Sequence, residues 1–248
     1  MPVMRAAEVE RDSMTRQKTG TRTLATLLLT LIAGFCAQGM RAQSPKYPPL
    51  SEYMMEPQAE IALARSAAPE TVSGRATIKV LTASGYKVSA QGDNGFVCMV
   101  MRGWGAPTFT PEANRNIVYD AQTRAPICFN PVAVRTVLPY QELRAKLGME
   151  GKSPGEITEE IQAAYSKGEL PRMEAVGFAY MFSADQKLGP AGAWHPHMMI
   201  YTPYYTNSML GGNAEDSDLP RISDDEGTPF AVTVIPVDHR LAVKARTE

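Results

Sequence analysis

Ala76-Thr77-Ile78-Lys79-Val80-Leu81-Thr82, followed by Ala83-Ser84-Gly85, then Tyr86-Lys87-Val88-Ser89-Ala90, then Asp93-Asn94-Gly95 and Phe96-Val97-Cys98-Met99-Val100-Met101, is the stretch that decides the fold. The first segment alternates, with Ile78 and Val80 on one face and Lys79 on the other. Tyr86, Val88 and Ala90 alternate again. Period-two patterning bounded by Gly-containing turns reads as strands joined by tight connections. The third segment is apolar on both faces, which predicts a central strand covered on both sides. The expectation is therefore a three-stranded antiparallel meander over 76–101.

On the N-terminal side of this stretch, residues 57–67 read as a helix, with Pro57 in the first turn and Ile61, Leu63 and Ala64 propagating it. Ala68-Pro69 should end it. Residues 40–56 are rich in proline and read as a flexible, extended lead-in.

On the C-terminal side, residues 103–126 look like a loop punctuated by Gly103, Gly105, Pro107, Pro111 and Pro126. Asn130-Pro131 opens a helix that Pro139 should interrupt. Ser153 and Glu156 form a capping box ahead of a helix carrying Ile157, Ile161, Ala164 and Tyr165 on one face and ending at Gly168. Strands follow at 177–183, 197–202 and 230–237, the last two separated by a Gly- and Asp-rich loop over 203–229. A connection that long inside a domain is functional or mobile. Strands, then helices, then strands give an α+β fold: a largely antiparallel sheet of about six strands with helices packed on it, in one domain over 57–248.

Arg16, Lys18 and Arg22 precede an apolar run from Leu24 to Phe35, and small residues follow, with Ala37-Gln38-Gly39 offering a cleavage site. This order reads as a secretory signal peptide over 1–39. Retention as an N-terminal anchor is the alternative, although the run falls short of the ~20 residues that span a bilayer. Bulky Phe35 before Cys36 argues against a lipoprotein, and no twin-arginine pair is present. Glu8, Glu10 and Asp12 are foreign to such a leader, so Met14 is a candidate true start. The expected location is periplasmic or secreted.

The whole chain carries 25 Lys and Arg against 26 Asp and Glu, a net charge of −1. That balance lacks the basic footprint of a nucleic-acid binder. No later apolar run is long enough for a membrane helix. A leader would remove Cys36, and the remaining pair, Cys98 and Cys128, reads as a disulfide in an oxidising compartment.

The sharpest chemical feature is Trp194-His195-Pro196-His197-Met198. In an extended chain His195, His197, Met199 and Tyr201 share one face, and Pro196 places the segment at a strand start or sheet edge. Two imidazoles could bind zinc or copper, with His239 as a further ligand. The competing readings are a histidine general base oriented by Asp185 or Asp238, and a structural role in the cell envelope. Tyr201, Tyr204 and Tyr205 could stack on a sugar, as a small-molecule ligand, or on a peptide, or could clamp their own loop. Asp216, Asp218, Asp224, Asp225 and Glu226 suggest calcium only weakly, because Pro220 and Arg221 break an EF-hand pattern. Signatures of hydrolase elbows, phosphate loops and dinucleotide folds are missing.

Gly95-Phe96-Val97-Cys98-Met99-Val100, Arg124-Ala125-Pro126-Ile127-Cys128-Phe129-Asn130-Pro131 and Trp194-His195-Pro196-His197 together resemble a set of uncharacterised secreted bacterial proteins. The resemblance spans roughly 57–237. It implies a bacterial source and export, and it carries no activity, catalytic residue or protein partner.

Overall fold

The structure is a computed structural model that describes residues 47–104, 119–174, 177–187, 195–213 and 218–246. The expected leader and Trp194 lie outside the described residues. The strands are β1 (Thr77–Thr82), β2 (Gly85–Ala90), β3 (Val97–Met101), β4 (Ala125–Phe129), β5 (Phe178–Met181), β6 (His197–Tyr201), β7 (Arg221–Asp224) and β8 (Val232–Pro236). They form a single eight-stranded sheet in the order β2-β1-β3-β4-β5-β6-β8-β7. Every neighbouring pair is antiparallel except β1 and β3, which are parallel. The fold is thus a mixed one, a mostly antiparallel sheet with helices against it.

Two expectations are corrected. The sheet has eight strands rather than about six. The additions are β4, which begins inside the stretch read as loop because Pro126 masks an otherwise apolar run, and β7, a short polar edge strand inside the 203–229 loop. The 76–101 stretch is also not a simple meander. β1 and β2 form the expected hairpin, but the chain then crosses the start of β1 and adds β3 on its other side, parallel to it. The crossing is tight: Asp93 N–H donates to Arg75 O at 3.0 Å and Thr77 N–H donates to Phe96 O at 2.9 Å. A Cβ on Gly92 would come within 2.2 Å of Arg75 O, so only glycine permits this passage. Local alternation cannot distinguish the two arrangements, because the choice lies in which side of β1 the turn delivers the chain.

The helices are α1 (Leu50–Tyr53), α2 (Pro57–Arg65), α3 (Glu70–Ser73), α4 (Pro131–Thr136), α5 (Leu138–Met149) and α6 (Pro154–Ser166). Tyr53 of α1 is buried, so part of the lead-in is packed into the domain. Asn130 caps α4 by accepting from Ala133 N–H at 2.8 Å, and Pro139 sits in the first turn of α5, where its missing N–H costs nothing. The Ser153–Glu156 capping box is formed, and Gly168 follows α6 with a φ of +76°.

Strand alternation divides the core into two sets. Val97, Met99, Ile127 and Phe129 pack with residues of α4, α5 and α6, including Ala133, Leu147 and Ile161. Cys98, Val100 and Cys128 pack instead with Leu63 and Ala64 of α2. Both faces of β3 and β4 are therefore covered, which explains their unbroken apolar sequences. Cys98 and Cys128 are directly opposed across β3 and β4 and joined by a disulfide, with a Cα–Cα distance of 4.0 Å.

The link between α2 and the sheet is ionic as well as apolar. Glu60 of α2 pairs with Arg102, just beyond β3, at 2.7 Å, with both side chains essentially inaccessible. Glu60 Oε1 also accepts from Leu81 N–H of β1 at 3.0 Å, and Arg102 Nε donates to Tyr53 O at 2.7 Å. Tyr86 donates its hydroxyl to Val100 O at 2.7 Å, and burial pushes this phenol well above its ordinary range.

Candidate functional site

β6 is placed between β5 and β8, with His197 opposite Met181 on one side and Pro236 on the other. Within the strand His197 and Tyr201 are buried while Met198, Met199 and Ile200 are all half-buried, so burial does not follow a simple alternation; Met199 packs against the cluster that holds Tyr201. The strand does not extend back to His195. That residue precedes the strand and is exposed. Pro196 separates them, so the two rings serve different environments.

His197 is 2 % exposed. Its Nδ1 donates to His195 O at 2.8 Å, which fixes the tautomer and places the lone pair on Nε2. Burial drives the imidazole down to about 4, against a partial opposing effect of the His195 carbonyl. The ring is therefore neutral at neutral pH and holds the chain's turn into β6.

His195 instead meets His239, in the 3-10 turn His239–Leu241 that follows β8. Its Nδ1 lies 2.6 Å from His239 Nε2, with the ring centroids 4.2 Å apart and the planes at 67°. Both rings are exposed. At that separation one nitrogen must present a hydrogen and the other a lone pair, or both lone pairs must face a shared cation. Asp238 caps the turn by accepting from Arg240 N–H at 2.8 Å, and the Arg240 guanidinium holds its carboxyl below the usual range.

The carboxylates expected to orient a histidine base are thus occupied elsewhere: Asp238 by Arg240, and Asp185 by Ala245 N–H at 2.7 Å. Among the described residues no group of three or more His, Cys, Asp or Glu side chains converges as a metal cage. Cys98 and Cys128 are consumed by their disulfide. Tyr201 is buried and burial raises its phenol, whereas Tyr204 and Tyr205 are exposed on the following loop. Asp225 is buried, Glu226 is exposed, and Asp216 lies outside the described residues. Sequence reasoning placed His239 among the possible ligands. It could not show that His239 rather than His197 is the partner of His195, since the two are joined only by the β6–β8 pairing.

The burial of His197 has a measurable consequence. An unfolded imidazole titrates near ~6.5, so as pH falls from there toward 4 the unfolded chain takes up a proton that the folded chain refuses. The contribution is complete above about pH 6.5 and about 3 kcal/mol is lost by pH 4. Urea unfolding of metal-free protein at neutral and acid pH should show a smaller acid loss in His197→Gln than in the parent. Equal losses in the two proteins would refute the assignment.

Comparison with known protein families, with curated proteins and with solved structures finds no match.

Proposed function

We propose that this chain is an exported bacterial protein that binds a transition-metal ion, copper(II) in preference to zinc, between His195 Nδ1 and His239 Nε2. The observation that carries this reading is the 2.6 Å approach of two exposed imidazole nitrogens from separate elements. Two nitrogens bound to one ion at about 2.0–2.1 Å stand about 2.9–3.4 Å apart, so the rings need separate by less than about 1 Å. Imidazole suits copper and zinc, and copper(II) heads the affinity order for nitrogen donors. Two protein ligands leave the remaining positions to water or to an incoming donor. Such an open site fits uptake and hand-over of the ion rather than a closed structural centre.

Export is supported by the basic-apolar-small order of residues 16–39 and is compatible with the Cys98–Cys128 disulfide. In the described residues no helix is long and apolar enough to cross a membrane. The hydrolase reading has less support, because neither expected carboxylate is directed to a histidine.

Calorimetric titration of the purified, oxidised protein with copper(II) tests the reading. The parent should bind one equivalent. His195→Ala and His239→Ala should each weaken binding by at least about 10–100-fold, the range that loss of even an outer partner of a metal ligand produces. His197→Gln should leave it unchanged. Loss of binding in His197→Gln with retention in His239→Ala would overturn the pairing.

A further inference from the structure

The loop after β6 folds over the sheet edge and leaves a cleft of about 260 Å³ between β7 and the 3-10 turn Asn207–Leu210. Its polar lining is Asn207, Asn213, Arg221, Ser223, Asp225 and Glu226. We infer that this cleft binds a small zwitterion of the free amino acid class, with its carboxylate on Arg221 and its ammonium toward Asp225 and Glu226. The site is separate from the histidine pair and uses neither of its residues.

The walls are built before any ligand arrives. Asn207 Oδ1 accepts from Ile222 N–H at 2.8 Å, and Asn207 N–H donates to Glu226 Oε1 at 2.6 Å. Asn213 Nδ2 donates to Pro220 O at 2.6 Å and to Leu210 O at 3.0 Å. These bonds clamp the turn to the edge strand, so little ordering remains to oppose binding. Tyr204 in the loop after β6 and Asp225 in the β7–β8 connection, with φ of +67° and +53°, are the non-glycine residues in left-handed backbone among those described. Such conformations persist where surrounding contacts over-determine them.

Charge then selects the ligand. Arg221 is half-buried and, among the described residues, forms no ion pair and no side-chain hydrogen bond. Its guanidinium offers the planar fork that a carboxylate matches with two parallel hydrogen bonds. Asp225 and Glu226 line the same cleft, and the Glu226 carboxylate is oriented by Asn207, whose N–H and Nδ2 donate to its two oxygens at 2.6 and 3.3 Å. A polyanion would meet these two carboxylates, and a neutral ligand would leave the guanidinium unanswered. A zwitterion satisfies both signs. The volume lies just under the ~300–1,000 Å³ of typical ligand pockets, which suits a single small molecule. Ile222, the apolar residue of the lining, is the one hydrophobic contact the cleft offers to its side chain among the described residues.

The test is a thermal-shift and calorimetric screen of the full protein against the free L-amino acids, with inorganic phosphate and D-glucose as comparison probes. At least one amino acid should bind, and Arg221→Gln should weaken it by about 10–100-fold, as expected for a lost hydrogen bond to a charged group. Should Arg221→Gln fold poorly, the parent protein still decides the matter: the amide of the bound amino acid and its N-acetyl derivative should both fail to bind. Binding of the amide as tightly as the acid would overturn the proposal. So would absence of binding by every amino acid, or preferential binding of phosphate or glucose.

Discussion

Glu60→Ala is expected to destabilise the domain by about 3–5 kcal/mol, the cost of leaving a buried partner charge uncompensated. Arg102 is fully enclosed, and its pairing with Glu60 at 2.7 Å is the ionic contact that, with hydrogen bonds to Tyr53 O and Val100 O, offsets its removal from water. The same substitution strips the acceptor from Leu81 N–H, in the interior of the sheet. One side chain thus ties α2 to β1 and, through Arg102, to the end of β3. Replacing both charges together, as Glu60→Leu with Arg102→Met, should cost far less than the sum of the single changes, because no orphaned ion is left behind. Urea unfolding of the single variants and the double variant checks this. A loss below about 1 kcal/mol for Glu60→Ala would mean that the pair is solvated in the folded protein.

The second large effect is removal of the disulfide. Cys98 and Cys128 are separated by 30 residues and lie in the two strands that are covered on both faces. Closing a loop of that length stabilises by about 3–4 kcal/mol in the chain-entropy model. The paired variant Cys98→Ala, Cys128→Ala should therefore lose about that much. Because both residues are wholly buried, a mild reductant should not open the bond until the protein is unfolded. Equal unfolding free energies for the parent and the paired variant would contradict this assignment.

These two effects differ in how far the sequence foretold them. The disulfide was legible from a pair of cysteines read with the expectation of an oxidising compartment. The Glu60–Arg102 pair was not, because Glu60 looks like any helix-surface carboxylate and its burial follows from where α2 docks. Capping signals were reliable where the chemistry is local: Asn130, Ser153 with Glu156, and Gly168 all do what their positions predict. Strand pairing was less so. The β1–β2 hairpin is specified by adjacent alternation and Gly85, whereas the parallel β1–β3 pairing depends on a backbone crossing at Gly92. β7 escaped notice because its Arg221-Ile222-Ser223-Asp224 sequence carries one apolar residue, and an edge strand needs no more.

The same division runs through the site. Period-two reasoning grouped His195 with His197, but the strand starts only at His197, so His195 lies outside it. The strand order then brings the turn after β8 alongside the entry to β6 and supplies His239 instead. The residues of the candidate metal pair were thus visible in the sequence, while their pairing required the sheet. Arg221 carried no signal at all: an isolated arginine in a polar loop becomes notable only when it has no ionic partner among the described residues.

The most direct test of the metal reading is pulsed electron paramagnetic resonance of the copper(II)-loaded protein, which counts coordinated imidazoles. Two coordinated imidazoles are expected in the parent and in His197→Gln, and one in either His195→Ala or His239→Ala. A single imidazole in the parent, or a parent-like signal that survives in the His195→Ala, His239→Ala double variant, would contradict that reading.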